Sequence, residues 1–222
     1  KSQTQQNPKT RIAYTPLHGV AMGLIQKSFI KAQAGELIPV KAQMVPDADF
    51  PTVSFPNPEE HGVMDSVTDL AKASNADIAL ANDPDGDRLA VAIPTLSGDW
   101  RLLSGDEIGA LLFNHVARKT SGDNRKVVTT IVCSKLVSKI ASKHGVEHAT
   151  TLTGFKWIIP AAYNDSSLQP IFCYEEALGY ATNTAVRDKD GISAALMMAE
   201  LTAALKEQGQ TLEDELDALS LE

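Results

Sequence analysis

Short apolar segments alternate with longer segments of helical periodicity along nearly the whole chain. This alternation is typical of βαβ units, in which parallel strands form a sheet that helices cover. The predicted strands are 11–17, 36–44, 77–81, 88–94, 100–103, 126–132, 146–152 and 169–174. The predicted helices are 20–34, 59–74, 104–119, 134–144, 154–162, 190–207 and 211–219.

Local signals mark the ends of two helices. In the first helix, the apolar spacing predicts a buried face, and Gly35 is expected to end the helix. Ser104 and Glu107 have the spacing of a capping box, which predicts a helix start at this point. The apolar positions of the first helix are Leu24, Ile25, Phe29 and Ile30.

The alternation occurs twice, with a break near residues 103–105. We therefore predict two consecutive three-layer α/β domains, residues 1–103 and 104–222, with mixed, mainly parallel sheets. No linker rich in Gly or Ser separates them, so they are expected to pack directly against each other. Each half contains enough periodic apolar segments to predict its own core.

Charge and cysteine content exclude several classes of protein. The formal net charge of −8 argues against nonspecific binding of nucleic acid. No apolar run reaches the roughly 18 residues of a membrane span, and no secretory signal is recognisable. Two cysteines are too few for a disulfide framework. These features favour a cytoplasmic protein that binds a small molecule rather than nucleic acid or a membrane.

The sharpest local motif is the loop of residues 82–88, which follows a fully apolar strand. Its aspartates, Asp83, Asp85 and Asp87, alternate, so their side chains are expected to point the same way. Three carboxylates so close repel one another unless a cation neutralises them, and oxygen ligands suit a hard divalent ion. Arg88 beside them is a natural partner for a phosphate oxygen.

Two alternatives account for parts of the same loop. Asp, Pro and Gly are turn formers, so the string also fits a turn without metal. An EF-hand requires Gly at the sixth loop position and Glu at the twelfth. Counted from Asp83, these positions are Arg88 and Pro94, which excludes the EF-hand.

Five motifs in the right order resemble the α-D-phosphohexomutases, the phosphoglucomutase/phosphomannomutase family. Two of them, TLTGFKW and EEALGY, together with the stretch FPTVSFPNPEE (50–60), are most similar to the branch of phosphoglucomutases and phosphopentomutases. The five motifs are YTPLHGV (14–20), DPDGDR (83–88), TLTGFKW (151–157), EEALGY (175–180) and DKDG (188–191).

The resemblance implies a role for each motif. Asp83, Asp85 and Asp87 would bind Mg²⁺, and Arg88 would contact the phosphoryl group. Lys189 would assist proton transfer next to the sugar. The implied substrate-binding residues are Thr153, Gly154, Lys156, Glu175 and Glu176. The family often has serine at the position of Ala177, so the contact to one sugar hydroxyl differs here.

The resemblance covers only the second and third of the family's four domains. No serine is followed by His-Asn, as the family's phosphoserine is, and no RxSGTE-type phosphate loop occurs. The sequence also begins at Lys1 rather than Met, so we expect a central part of a longer mutase that lacks domains I and IV.

The complete enzyme would transfer a phosphoryl group between C1 and C6 of a hexose phosphate through a bisphosphate intermediate. A glucose 1,6-bisphosphate type of activator would support that cycle. The resemblance leaves other functions open: a phosphopentomutase, a glucosamine- or mannose-specific member, or a noncatalytic module that binds sugar phosphate or metal.

Overall fold

The computed structural model describes residues 9–95 and 97–221. Nine strands and seven helices alternate in this part of the chain. The strands are β1 (Arg11–Thr15), β2 (Glu36–Pro39), β3 (Ile78–Asn82), β4 (Leu89–Pro94), β5 (Trp100–Leu102), β6 (Arg125–Thr130), β7 (Glu147–Thr151), β8 (Gln169–Glu175) and β9 (Gly179–Ala181). The helices are α1 (Met22–Ala32), α2 (Asp65–Ser74), α3 (Gly105–Lys119), α4 (Leu136–Lys143), α5 (Phe155–Ala162), α6 (Gly191–Glu207) and α7 (Leu212–Ser220).

The strands form two separate mixed sheets. The first has the order β2-β1-β3-β4-β5, with β1 parallel to β2 and β3 and the remaining pairs antiparallel. The second has the order β7-β6-β8-β9, again with three parallel strands followed by an antiparallel one. The predicted fold class, two α/β/α units with mixed sheets, is confirmed.

One helix crosses from the second unit to the first. Helix α3 begins the second unit and packs on β8 and α4 of that unit. Helix α6 follows the strands of the second unit but packs on β3, β4 and α1 of the first. The first sheet therefore has one face that is covered partly by a helix of the second unit.

Helix α6 joins the cores of the two units. One apolar cluster runs from Ile12 in β1 to Leu219 in α7 and includes buried side chains of both sheets. A smaller cluster, between α5 and the second sheet, centres on Phe155 and Ile158. The expectation of one independent core in each half is therefore wrong, because α6 packs on β3 and β4 of the first unit and on α3 and β9 of the second.

Several element ends differ from the sequence-based prediction. Helix α1 is shorter than predicted, and Gln33, with φ of 53°, adopts the left-handed conformation that was expected at Gly35. Leu24 and Ile30 are exposed, whereas Met22, Ile25 and Phe29 form the buried face. Strand β9 was not predicted, because three residues are too few to show an alternating pattern.

The predicted β4–β5 hairpin and the Ser104–Glu107 capping box are both present. Glu107 also pairs with Arg101, which binds Glu213 of α7 and so ties the start of α3 to the end of the chain. In the part of the chain that the structure describes, no helix is long and apolar enough to cross a membrane.

Candidate active site

The metal loop, residues 82–88, leaves the carboxyl end of β3. Its turn is closed by a hydrogen bond from the Gly86 N–H to the Asp83 carbonyl, at 3.0 Å, and Gly86 has φ of +81°. Asp83, Asp85 and Asp87 each offer a carboxylate oxygen, and these oxygens lie within 4.8 Å of one another. The predicted convergence of the three side chains is thus present, and oxygen ligands at this spacing fit a hard divalent cation.

Asp83 is the anchor of this loop. Its buried carboxylate accepts hydrogen bonds from the Arg88 backbone N–H at 2.9 Å and from Arg88 Nε at 2.6 Å. Burial alone would raise the pKa of Asp83, but the hydrogen bonds and charge of Arg88 lower the pKa below its ordinary value. Asp83 is therefore held as a carboxylate, the form that binds a metal ion.

Asp87 lies between the negative charge of Asp83 and the positive charge of Lys189. Burial and the neighbouring charge of Asp83 raise the pKa of Asp87 to about 6, against the attraction of Lys189. Lys189 Nζ lies 3.3 Å from Asp87 Oδ2. Burial and the neighbouring aspartates together outweigh the attraction of Lys189, and a cation bound at these carboxylates would favour their ionised form.

A buried network of hydrogen bonds supports the metal loop. Tyr14 donates a hydrogen bond to Asn82 Oδ1 at 2.8 Å, and Asn82 Nδ2 donates to the Arg88 carbonyl at 2.6 Å. On the other side, the Val20 N–H donates to the Pro84 carbonyl at 2.8 Å. A Cβ at Gly19 would lie 2.2 Å from the same oxygen, so only glycine permits this approach.

The sugar loop, residues 175–180, directly adjoins the metal loop. Residues Arg88 and Gly179 form an antiparallel β-bridge, and the Leu89 N–H donates to the Leu178 carbonyl at 3.1 Å. Both loops connect a parallel strand to the antiparallel strand of their sheet. The bridge therefore joins equivalent positions of the two units and fixes the spacing of the two loops.

Lys189 links the charged groups of the two loops. Besides Asp87, it approaches Glu175 Oε1 at 3.8 Å. A Cβ at Gly179 would lie 3.0 Å from the same Glu175 oxygen and 3.1 Å from Lys189 Cδ, so glycine leaves room for this pair. Burial raises the pKa of Glu175, and Lys189 partly counters that effect. Three predicted site residues, Asp87, Lys189 and Glu175, thus form one cluster.

The Glu176 side chain points towards the second sheet and does not join the cluster of Asp87, Lys189 and Glu175. Its Oε2 accepts a hydrogen bond from Thr130 Oγ1 at 2.9 Å and a longer one from Cys133 Sγ at 3.7 Å. Its backbone carbonyl lies against Gly105, where a Cβ would approach to 1.8 Å. Through these contacts, Glu176 anchors the sugar loop to α3 and β6.

The loop before α5 lies beside Glu175. The Gly154 backbone N–H lies near the Glu175 carboxylate and lowers its pKa, against the effect of burial, and Gly154 has φ of +106°. Thr153 and Lys156 are exposed, and Lys156 Nζ lies 5.9 Å from the ring centroid of Trp157. The predicted residues Thr153 and Lys156 therefore border the cluster without joining its charged pairs.

Sequence reasoning assigned no role to Asn57 or Asn82. Asn82 closes the network under the metal loop, and Asn57 Oδ1 accepts a hydrogen bond from Arg88 Nη1 at 2.9 Å. The segment FPTVSFPNPEE was noted only as a resemblance, and it was the available signal for Asn57. Asn82 also bonds Tyr14, 68 positions away, and Asn57 is 31 positions from Arg88, so no local pattern reveals these contacts.

Both halves of the chain match known proteins. Residues 1–98 match the family description "Phosphoglucomutase/phosphomannomutase, alpha/beta/alpha domain II", and residues 104–220 match domain III of the same family. A probable phosphomannomutase of Haemophilus influenzae is 42% identical over 210 residues, which cover 94% of this chain and 42% of the relative. Phosphopentomutase of Homo sapiens is 40% identical over 228 residues, covering 96% of this chain and 37% of the relative.

A solved structure shares the fold. The putative phosphomannomutase of Thermus thermophilus aligns with a TM-score of 0.80 at 20% identity and covers 97% of this chain and 46% of its own. The chain spans about two fifths of the length of the curated relatives named above. Because both halves match consecutive domains of one family, the chain belongs to the phosphoglucomutase/phosphomannomutase family.

Proposed function

We propose that this chain forms the metal-binding and sugar-binding centre of a phosphosugar mutase. The complete enzyme would move a phosphoryl group between C1 and C6 of a hexose phosphate, through an enzyme phosphoserine and a bisphosphate sugar. The observation that carries this proposal is the direct contact between the metal loop and the sugar loop. Lys189 joins Asp87 to Glu175, and a β-bridge joins Arg88 to Gly179.

The three aspartates, Asp83, Asp85 and Asp87, would hold Mg²⁺. Their oxygens are close enough to share one ion, and Asp83 is kept ionised by Arg88. When bound, the ion would supply charge neutralisation for a phosphoryl group during transfer.

The remaining side chains would recognise and orient the substrate. Glu175 would accept hydrogen bonds from sugar hydroxyls, and Lys189 beside it would donate to a hydroxyl or phosphate oxygen and exchange a proton there. Arg88 would bind a phosphoryl oxygen. Thr153, Gly154 and Lys156 would border the sugar at the open side of the cluster.

Phosphopentomutase is the second candidate function. It is supported by the 40% identity to the human phosphopentomutase over nearly the whole chain. The sugar loop has Ala177 and no serine hydroxyl at that position. Rates of the complete protein with glucose, mannose and ribose 1-phosphates would decide: the proposal expects the highest kcat/KM with a hexose, and a ribose preference would support the alternative.

We expect the Asp85→Asn variant to bind a divalent cation roughly tenfold more weakly than the parent chain, because one charged ligand is lost. Mn²⁺ serves as a paramagnetic probe for Mg²⁺, and the free ion can be measured by electron paramagnetic resonance. Asp49→Asn is the matched control, since Asp49 is exposed and outside the cluster. Equal Mn²⁺ affinity in the parent and the Asp85→Asn variant would favour the turn without metal.

We further expect the 222-residue chain alone to show no conversion of glucose 1-phosphate to glucose 6-phosphate. Phosphoryl transfer needs a positioned nucleophile, and no Ser-His-Asn sequence is present in these residues. Ser104 and Ser134 are engaged at helix starts, with Glu107 and with the Leu136 N–H. A coupled glucose 6-phosphate dehydrogenase assay checks this expectation. Turnover that disappears in the Asp85→Ala variant would contradict it.

A further inference from the structure

The guanidinium of Arg88 is held on two of its three nitrogens. Nε donates to Asp83 Oδ2 at 2.6 Å, and Nη1 donates to Asn57 Oδ1 at 2.9 Å. Glu59 Oε2 lies farther from Nη1, at 3.7 Å, and its side chain is 44% exposed. Within the described residues Nη2 donates no hydrogen bond, so Nη2 is the nitrogen left for a ligand.

The segment that carries Asn57 is restrained by its own sequence. Asn57 lies between Pro56 and Pro58, and a residue before proline is restricted to extended backbone conformations. The Asn57 N–H donates to the Phe55 carbonyl at 2.9 Å. The Glu59 N–H donates to Asn57 Oδ1 at 3.3 Å, so the oxygen that accepts from Arg88 is also held by its own segment. The acceptor for Arg88 is therefore in place before any ligand binds.

An amide at this position has a specific electrostatic advantage. Asp83 already neutralises part of the guanidinium charge, at Nε. A second close carboxylate would cancel most of the attraction between Arg88 and an anion. A neutral carboxamide accepts the hydrogen bond from Nη1 and adds no negative charge to those of Asp83 and the more distant, half-exposed Glu59.

We propose that Asn57 is a positioning residue, which orients the Arg88 guanidinium so that Nη2 is presented to a phosphoryl oxygen. The inference rests on the proposed function, in which Arg88 binds the phosphoryl group. It assigns a role to the proline-rich segment of residues 50–60, which the proposed chemistry leaves unused. Asn57 acts through Arg88 and does not itself contact the substrate.

The test uses the 222-residue chain with inorganic phosphate as the probe, in the presence of Mg²⁺. Nitrogen-15 NMR resolves the Nη groups of Arg88, whose signals are assigned by their loss in Arg88→Lys. In the parent chain we expect slow rotation about the Nε–Cζ and Cζ–Nη bonds and a phosphate-dependent shift of the Nη2 signals. In Asn57→Ala we expect averaged Nη signals and roughly fivefold weaker phosphate binding, because one charge-assisted hydrogen bond is lost.

Asn57→Asp separates orientation from charge. The carboxylate still accepts the hydrogen bond from Nη1, so slow Nη rotation should be retained, while phosphate binding should weaken because of the added negative charge. The variant also keeps the test decisive if Asn57→Ala lowers stability. Rapid Nη rotation in Asn57→Asp would overturn the positioning role. Glu60→Ala is the matched control, since Glu60 is exposed on the same segment, and it should behave like the parent.

The outcomes distinguish this inference from the proposed function. If Arg88→Lys weakens phosphate binding but Asn57→Ala leaves binding and Nη rotation unchanged, the positioning role is wrong and the proposed role of Arg88 stands. If the parent chain shows no phosphate-dependent shift at Arg88, or Arg88→Lys binds phosphate as the parent does, the proposed phosphoryl contact itself fails and the inference fails with it.

Discussion

Residues 1–103 expressed alone are expected to remain unfolded or to aggregate. Helix α6 lies outside this segment, yet it covers β3 and β4 and contacts α1. Its buried side chains include Met198, Leu201 and Leu205. Burial of one side chain of this size stabilises a fold by about 1.5–3 kcal/mol, and total stabilities are only about 5–15 kcal/mol. Loss of the helix is therefore comparable to the whole stability of the unit.

Circular dichroism and thermal unfolding of the isolated segment measure this effect. The uncut chain should unfold in one cooperative transition, whereas the isolated segment should show none. Addition of a separately produced 104–222 segment is the control, because it restores α6 and should recover part of the native signal. A cooperative transition in residues 1–103 alone would show that helix α6 is dispensable for folding of the first unit.

Replacement of Gly191 by alanine is expected to destabilise the protein by about 3 kcal/mol and to weaken cation binding at the metal loop. The new Cβ would lie 2.3 Å from the Arg88 carbonyl and 2.4 Å from Asn82 Nδ2. Because one of these atoms belongs to the backbone, the start of α6 must move away from the metal loop, and overpacking of this kind costs about 1–3 kcal/mol or more. Denaturant unfolding and Mn²⁺ titration measure the two effects.

Gly23→Ala is the matched control for Gly191→Ala. Gly23 is an exposed residue of α1, and its added Cβ would meet no atom within 4 Å. The same substitution should therefore leave stability unchanged or raise it by up to about 1 kcal/mol, since alanine favours helix. If both variants unfold at the same denaturant concentration and bind Mn²⁺ equally, the close contact between α6 and the metal loop is not needed at this site.

Most of the secondary structure and the fold class could be predicted from the sequence. Buried parallel strands have continuous apolar runs such as 78–81, and helices have apolar residues at helical spacing. The conformation of each segment can therefore be predicted from its own residues. The predictions failed at segment ends. Gln33 adopts the left-handed conformation despite the nearby Gly35, and Leu24 is exposed although its spacing fits the helix face. Periodicity shows that a helix has an apolar side but does not show how much of that side a neighbour covers.

The candidate site was predictable to a different extent at each residue. The three aspartates lie within five residues of one another, so their convergence follows from local backbone geometry. Roles for Glu175 and Lys189 were predicted only from the resemblance to a family. Without that resemblance, Glu175 fits a solvated loop residue and Lys189 fits a surface salt bridge. Lys189 contacts Glu175 within the second unit, and its contact with Asp87 depends on the packing of the second unit against the first.

The sequence by itself determined the strands, the helices, the metal loop and the repeated order of elements, because these depend on interactions between residues near one another in the chain. Tertiary structure alone decided that α6 packs on the first unit, that Lys189 reaches Asp87, and that Asn57 holds Arg88. Asn57 and Arg88 are 31 positions apart, and Asp87 and Lys189 are 102 positions apart. Hydrophobic burial is nondirectional, so an apolar helix face is stabilised by whichever sheet covers it, and the choice of sheet is made only when the whole chain packs.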